Sequence, residues 1–438
     1  MDFITLIIVR YISKNFPTLE ISIFPIKDDV VIFGLLVVSL ALIFQTAQSK
    51  HPIFTSIYKY VPPLFLCYFI PALLRWPLRI IDVEHSQIYY ISSRVFLPAS
   101  IILLCLNIQI SALKKLGART IIMFLAAGIS IILGGPLALW TTMKLFPNIL
   151  GNAGEEWWRG LATIAGSWIG GGANQTAMKE IFLVSDSMFA SLIIVDIVIA
   201  NVWMGVLLYG SKINARIDTW LKADKNYLPD LIRKTASIAS IKQSLPDKRK
   251  MFILLGASLG GVALAQFFTA SIIPWVQIHA DLLTRLKLDA LLTSFFWLIV
   301  FATGIGLAYS FTPFRKLEQS GASEWGSIFL YLLVASIGMQ INLKDLIQQP
   351  GLLVIGGLWM CFHIAILLLV ARLIKAPFFI AAISSQANVG GAASAPIVAA
   401  AFHPSLAPVG VIMAVAGYAL GTYGGIICAL LMRWVSGG

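Results

Sequence analysis

The chain has 438 residues, of which 58% are hydrophobic and only 12% charged, where a typical soluble domain carries about 25% charged residues. So few charges cannot solvate a globular surface of this size, so the composition excludes a water-soluble protein and implies an all-α polytopic membrane protein. The net charge of +12 does not describe a nucleic-acid-binding face, because ten of the 32 Lys and Arg fall in one stretch, Ser211–Lys250, between apolar blocks. That is how a cytoplasmic loop of an inner-membrane protein reads, and no nucleic-acid partner is expected.

Residues 1–29 read as an interfacial segment, since an early acid and the lack of a small-residue cleavage site argue against a cleaved signal. Twelve apolar segments follow, at about 30–47, 61–75, 93–111, 119–141, 155–184, 187–210, 251–276, 289–311, 321–342, 350–373, 376–401 and 405–432, and residues 433–438 form a tail. The loop 211–250 divides them into halves, 30–210 and 251–432. Cys67, Cys105, Cys361 and Cys428 all lie in apolar runs without metal-ligand spacing and read as packed thiols.

The halves match each other three times, in the same order. Leu106–Ile110 resembles Ile337–Ile341, placing Gln109 opposite Gln340; Ile164–Ala177 aligns without gaps with Ile383–Pro396; and Ala200–Gly205 resembles Leu420–Gly425. These matches predict two repeats. Charge then sets the topology. Lys114, Lys115 and Arg119 precede segment four, and the basic central loop follows segment six. Three full crossings cannot leave both loops on the positive side, so segment five (155–184) is expected to dip in and return. The same rule applied to segment eleven (376–401) puts 19 Lys and Arg inside against 13 outside. The expected architecture is ten spans and two re-entrant hairpins, in two inverted repeats.

Inverted repeats with one broken segment each are a transporter signature, with solute and ion sites near the midplane. Gly170, Gly171 and Gly172 allow a break, and Asn174, Gln175 and Thr176 add neutral donors and acceptors. In the second half Ser384, Ser385, Gln386 and Asn388 precede Gly390 and Gly391, and Ser394 follows. The competing reading is that small residues merely let helices pack closely; amides and hydroxyls in both halves weigh against it. Asp196 stands alone among apolar neighbours, and an intramembrane carboxylate is a functional candidate by default. It serves either as proton carrier or cation ligand, with Asn201, Asn174 and Asn388 as co-ligands, or as a structural partner for a glycine-break N–H or Lys179. Lys179 and Glu180 read as the solvated end of the first hairpin, Gln109, Gln340 and His363 as satisfied structural groups, and Trp157, Trp158 and Trp168 as an interfacial belt and hairpin wall. No HExxH or P-loop is present, so an enzyme is not expected, and any coupling energy comes from an ion gradient.

At GSWIGGGANQTAMKEIF and SSQANVGGAASAPIVAAAF the chain resembles a bacterial family numbered 819 among the domains of unknown function, over roughly residues 25–435. That family is similar to the cation:proton antiporter and anion transporter superfamily, which includes the glutamate, citrate and bile-acid:sodium symporters. The resemblance implies a core domain with two crossed broken segments, a scaffold domain, elevator-like motion, and a solute site at Gly170–Thr176 and Ser384–Ser394. It also implies a homodimer in the bacterial inner membrane. The adjacent aspartates of the proton antiporters are missing, since Asp196 has no acidic neighbour. The resulting expectation is a secondary transporter for a small polar or anionic solute, with no cofactor beyond a sodium ion and protons as the other coupling choice. A sodium/proton antiporter, a channel and a membrane sensor are the alternatives.

Overall fold

The first described helix, α1 (Asp29–Ala47), begins where the Asp28 carboxylate accepts the Val30 and Val31 N–H groups at 2.9 and 3.0 Å. A helix start leaves such donors open, and the aspartate closes two of them. The computed structural model describes residues 25–437 except 62, 107, 109, 148–153, 225–226, 236–246, 287 and 342–350. The expected interfacial segment therefore lies almost wholly outside the described residues, as does Gln109.

The helices that follow are α2 (Pro52–Tyr60), α3 (Pro63–Arg75), α4 (Ile88–Leu106, with a π-helical turn at Ser92–Phe96), α5 (Ile110–Lys115) and α6 (Ala118–Leu145). Next come α7 (Gly154–Ile181), α8 (Asp186–Lys212), α9 (Asn214–Leu221), α10 (Tyr227–Thr235) and α11 (Lys248–Ile278). The remainder are α12 (Ala280–Arg285), α13 (Ser294–Ser310), α14 (Ala322–Gly338), α15 (Gly351–Leu373), α16 (Phe378–Val389), α17 (Gly391–Phe402) and α18 (Ala407–Ser436). Among the described residues there is no strand, only an isolated bridge between Ile26 and Ile81. The protein is an all-α polytopic membrane protein.

Among the described residues seven helices (α1, α4, α6, α8, α11, α15 and α18) are long and apolar enough to cross a bilayer, or nine when each of two bent pairs counts as one span. One pair is α2 with α3, bent by 98°; the other is α13 with the 3-10 turn Pro313–Ser320, bent by 93°. Length explains the difference from the expected ten. The 13 residues of α3 cover about 20 Å, and the 17 of α14 about 26 Å, against a core of about 30 Å.

Two helix groups pack together. In one, α4 lies on α13 and α14, α14 on α3, α11 on α13, and α1 on α3; in the other, α6 carries α15, α16 and α18, and α18 carries α7 and α17. The outer face of α6 shows why the bundle needs lipid. Ile122, Leu125, Ile129, Leu133 and Leu137 recur every three or four residues and are all exposed, forming an apolar stripe that water would not tolerate.

Polar contacts tie loops together at opposite ends. At the basic end Arg119 pairs with Asp224 at 2.7 Å, Arg372 donates to the Trp220 carbonyl at 2.9 Å, and the Asp218 carboxylate accepts the Phe378 N–H at 2.7 Å. At the other end Arg433 pairs with Asp289 at 2.6 Å and lies over the Trp158 ring. Lys114, Arg119, the described part of the central loop and Arg372 thus share one end of the bundle, as the charge count requires.

Candidate functional site

Gly171 breaks α7, with φ +77° and ψ −175°. Trp158 and Phe182 flank the break 24 residues apart, and a straight helix would separate them by about 36 Å. Their ring centroids are 5.6 Å apart, and Ser185 donates to Glu156 at 2.9 Å. The two arms therefore double back as a hairpin, as the charge count predicts for segment five. Gly166 lets them pack closely: a Cβ there would sit 2.6 Å from the Asn174 carbonyl oxygen on the returning arm.

The second break falls at Gly390 and Gly391, the latter at φ +63°. Phe378 and Phe402, again 24 residues apart, have ring centroids 5.9 Å apart, so α16 and α17 form a second hairpin. Its base lies at the N-terminal end of α18, whereas the first hairpin's Trp158 lies under Arg433 at the C-terminal end of the same helix. The hairpins enter from opposite ends and meet along α18, where a Cβ on Gly417 would be 2.7 Å from the Ile169 carbonyl and 3.8 Å from that of Ala387.

Burial separates the arms from the tips. Every residue from Leu161 to Gly170 and from Ala173 to Lys179 is buried, while Gly171 and Gly172 are partly exposed. Phe378–Val389 is buried throughout, and exposure begins at Gly390 and continues through Gly391 to Ser394. Over these stretches partial exposure is thus confined to the tips, and the arms are covered by protein.

Around the break of the first hairpin the polar side chains are committed to protein partners. The Asn174 amide donates to the Gly170 and Tyr418 carbonyls, both at 2.9 Å, and its oxygen accepts from Thr422 at 2.5 Å. Thr176 donates to the Gly172 carbonyl at 3.0 Å. Asp196 accepts three hydrogen bonds from this hairpin: Ser167 Oγ at 2.6 Å, Trp168 Nε1 at 2.7 Å and Gln175 Nε2 at 3.1 Å. Its partners are side chains, neither a glycine-break N–H nor Lys179. Asn201 is exposed and donates to Ile197 in its own helix at 2.7 Å, so the structure does not bring it to Asp196.

The second hairpin differs. Ser385 Oγ takes part in a buried chain with Trp203 Nε1 at 2.8 Å and His363 Nε2 at 2.7 Å, and His363 Nδ1 lies 2.7 Å from Ser130 Oγ. Ser130 donates its hydrogen to the Ala127 carbonyl at 2.7 Å, so the imidazole donates through Nδ1 and accepts through Nε2. That completes a satisfied network around His363. Gln386 Nε2 donates to Ser394 across the break at 2.7 Å, and Asn388 Nδ2 to the Ser384 carbonyl at 2.9 Å. Three acceptors remain, since Ser384 Oγ, Gln386 Oε1 and Asn388 Oδ1 are buried without a hydrogen-bond partner among the described residues. Unpaired buried oxygens are costly and mark where a cation, a water or a ligand donor would bind.

Two expectations need correction. Lys179 is not a solvated hairpin end: it is 5% exposed, pairs with Asp186 at 2.9 Å and Glu180 at 3.4 Å, and donates to the Tyr89 hydroxyl at 2.8 Å. The base of the hairpin packs under the start of α4 and α8, which covers the ammonium. Trp157 and Trp158 are buried inside the bundle, not set in an interfacial belt. Sequence reasoning also missed Tyr418, Thr422, Ser130 and Trp203, neutral residues in apolar helices; the spacing of Gly417, Gly421 and Gly425 was the available sign that α18 meets a hairpin.

Among the described residues no cluster of His, Cys, Asp and Glu is arranged to hold a transition metal. A search of curated proteins finds no match to the chain. A family model described as a protein of unknown function, DUF819, matches residues 34–435, and the chain belongs to that family.

Proposed function

We propose that this protein is a secondary active transporter that binds a small polar or anionic solute at the meeting point of the two hairpin tips and couples its movement to sodium. The observation that carries the reading is the opposed pair of hairpins whose tips alone are accessible. Such half-helices end inside the bilayer, and their N-termini offer N–H groups and positive dipole ends to a solute. Unwound backbone at that depth is tolerated where it is buried in protein or lines a cavity. The matching of helix contacts supports an inverted repeat: α4 lies on α13 as α14 lies on α3, and α11 on α13 as α1 on α3.

The solute site would comprise Gly171, Gly172, Gly390, Gly391 and Ser394. Asn174, Gln175 and Thr176 act as struts that hold the first tip in place. For the coupling cation, Ser384 and Asn388, about one helical turn apart on α16, supply unpartnered oxygens, the ligand type that hard cations prefer. Asp196 supplies the negative charge that steadies the first hairpin.

The test begins with a thermal-shift screen of small organic anions and polar metabolites against the purified protein, with and without sodium, because a ligand stabilises the state it binds. Hits then enter a counterflow assay in proteoliposomes. Saturable exchange of labelled solute that requires a sodium gradient is the expected result. Flux that rises linearly with solute, with no counterflow, refutes the transporter reading in favour of a channel; binding without flux identifies a sensor.

A further inference from the structure

We propose that the basic end of the α4/α13 helix group carries a phosphate-binding site, separate from the hairpins, that takes an anionic phospholipid headgroup or free phosphate. A cavity of about 460 Å³ opens there beside Ile108 and the end of α13, lined by Ile108, Lys114, Ser310, Thr312, Arg315 and Lys316 among others. Its volume falls within the range of small-molecule sites, about 300–1,000 Å³.

Charge identifies the ligand. Among the described residues the wall carries three cations and no carboxylate. No ion pair engages Lys114, Arg315 or Lys316 among the described residues. The nearest acid in sequence, Glu318, is occupied elsewhere, accepting the Ser323 N–H at 3.2 Å and the Ser323 hydroxyl at 3.0 Å. The Ser310 and Thr312 hydroxyls donate to the Leu307 and Tyr309 carbonyls, so the cations carry the recognition. At the end of α14, by contrast, the Arg75 guanidinium donates to the Gln340 carbonyl.

The surroundings suit a headgroup. Phe311 is 68% exposed beside the cavity, and the Phe314 ring lies tilted against Tyr309 with centroids 4.8 Å apart. Aromatic rings next to Lys and Arg at a helix end are what a bilayer interface selects, and basic pockets between spanning helices hold anionic headgroups. Free phosphate presents the same tetrahedral anion without acyl chains.

The full-length protein in neutral detergent is titrated with phosphatidylglycerol, phosphatidylcholine and inorganic phosphate, with binding read by native mass spectrometry. Phosphatidylglycerol or phosphate is expected to bind more tightly than phosphatidylcholine, with affinity falling as salt rises. The triple variant Lys114→Gln/Arg315→Gln/Lys316→Gln is expected to lose about fivefold per charge, about a hundredfold in all. Lys212→Gln/Arg216→Gln, on the central loop, is expected to keep wild-type affinity. Binding of phosphatidylglycerol alone assigns the site to lipid; equal loss of phosphate binding in the triple variant assigns it to the free anion. Equal affinity for the two lipids with no phosphate binding overturns the proposal, as does unchanged affinity in the triple variant. The three side chains are exposed, so the variants should fold; each single variant, read for its fivefold loss, keeps the test decisive if the triple does not.

Discussion

Gly421→Ala sets two effects against each other at the point where the first hairpin crosses α18. Helix propensity favours the change, since alanine is better than glycine in a helix interior by about 1 kcal/mol. Space opposes it: the added Cβ would lie 2.7 Å from both the Asn174 amide nitrogen and the Gly170 backbone nitrogen. Neither is the free end of a flexible side chain, because Asn174 is held by Gly170, Tyr418 and Thr422. The hairpin must retreat by about 1 Å to reach ordinary contact distance. Overpacking of that kind costs about 1–3 kcal/mol, and loosening the Asn174 hydrogen bonds adds about 1 kcal/mol for each one lost. The net expectation is destabilisation by about 1–3 kcal/mol. Gly205→Ala and Gly256→Ala are the controls, since nothing lies within 4 Å of a Cβ at either position; both should be neutral or stabilising by up to about 1 kcal/mol. Thermal unfolding in detergent, followed by tryptophan fluorescence, reads all three. A Gly421→Ala midpoint at or above wild type, with the controls behaving as stated, would falsify the crossing geometry.

Asp196→Asn replaces an acceptor of three hydrogen bonds with a group that itself carries two donors, so Ser167, Trp168 and Gln175 lose part of their anchor at about 1.5–3 kcal/mol per charged hydrogen bond. Solute uptake in proteoliposomes should fall; full uptake with unchanged ion dependence removes Asp196 from the mechanism. Asp218→Ala strips the first N–H of α16 of its acceptor and should lower stability by about 0.5–2 kcal/mol, measured by melting. Burial raises the Asp218 carboxyl above its ordinary range and the Phe378 N–H partly offsets this. Its proton is therefore held more tightly in the folded state, and that contribution is greatest below the ordinary carboxylate range and fades as pH rises through the folded value. Melting from about pH 4 to pH 7 should show this slope in wild type and lose it in Asp218→Asn; identical slopes refute the assignment. Finally, Cys361 is exposed while Cys67, Cys105 and Cys428 are buried. A membrane-permeant maleimide should add one label per folded chain, and labelling should vanish in Cys361→Ser.

How far the sequence could be read depended on which physical signal each feature leaves. The twelve apolar segments correspond to helices because twenty or so apolar residues are needed wherever a chain meets lipid. The hairpin at Gly171 was visible through charge: Lys114 and the central loop had to share one side. Side-chain partners left no comparable trace. Asp196 stood out by its charge, but the rotation of α8 that turns it to Trp168 and sends Asn201 outward cannot be seen where apolar residues surround both. Lys179 misled because burial of its ammonium depends on Tyr89 and Asp186, which arrive from separate helices. The cavity at Lys114 and Arg315 joins residues about 200 positions apart, and in the sequence both read only as topology markers.

The seating of the first hairpin has a consequence for how this protein is made. Asn174 donates to Tyr418 and accepts from Thr422, partners 244 and 248 residues further along the chain. When ribosomal synthesis has finished the first hairpin, the helix that satisfies its amide does not yet exist. Long-range pairings of this kind form late and slowly. The hairpin must therefore wait, with Asn174 and its glycines unsealed, until α18 is threaded into the bilayer. Biogenesis is closed from the carboxyl-terminal side: insertion of α18 is the event that converts an inserted set of helices into a sealed pair of hairpins.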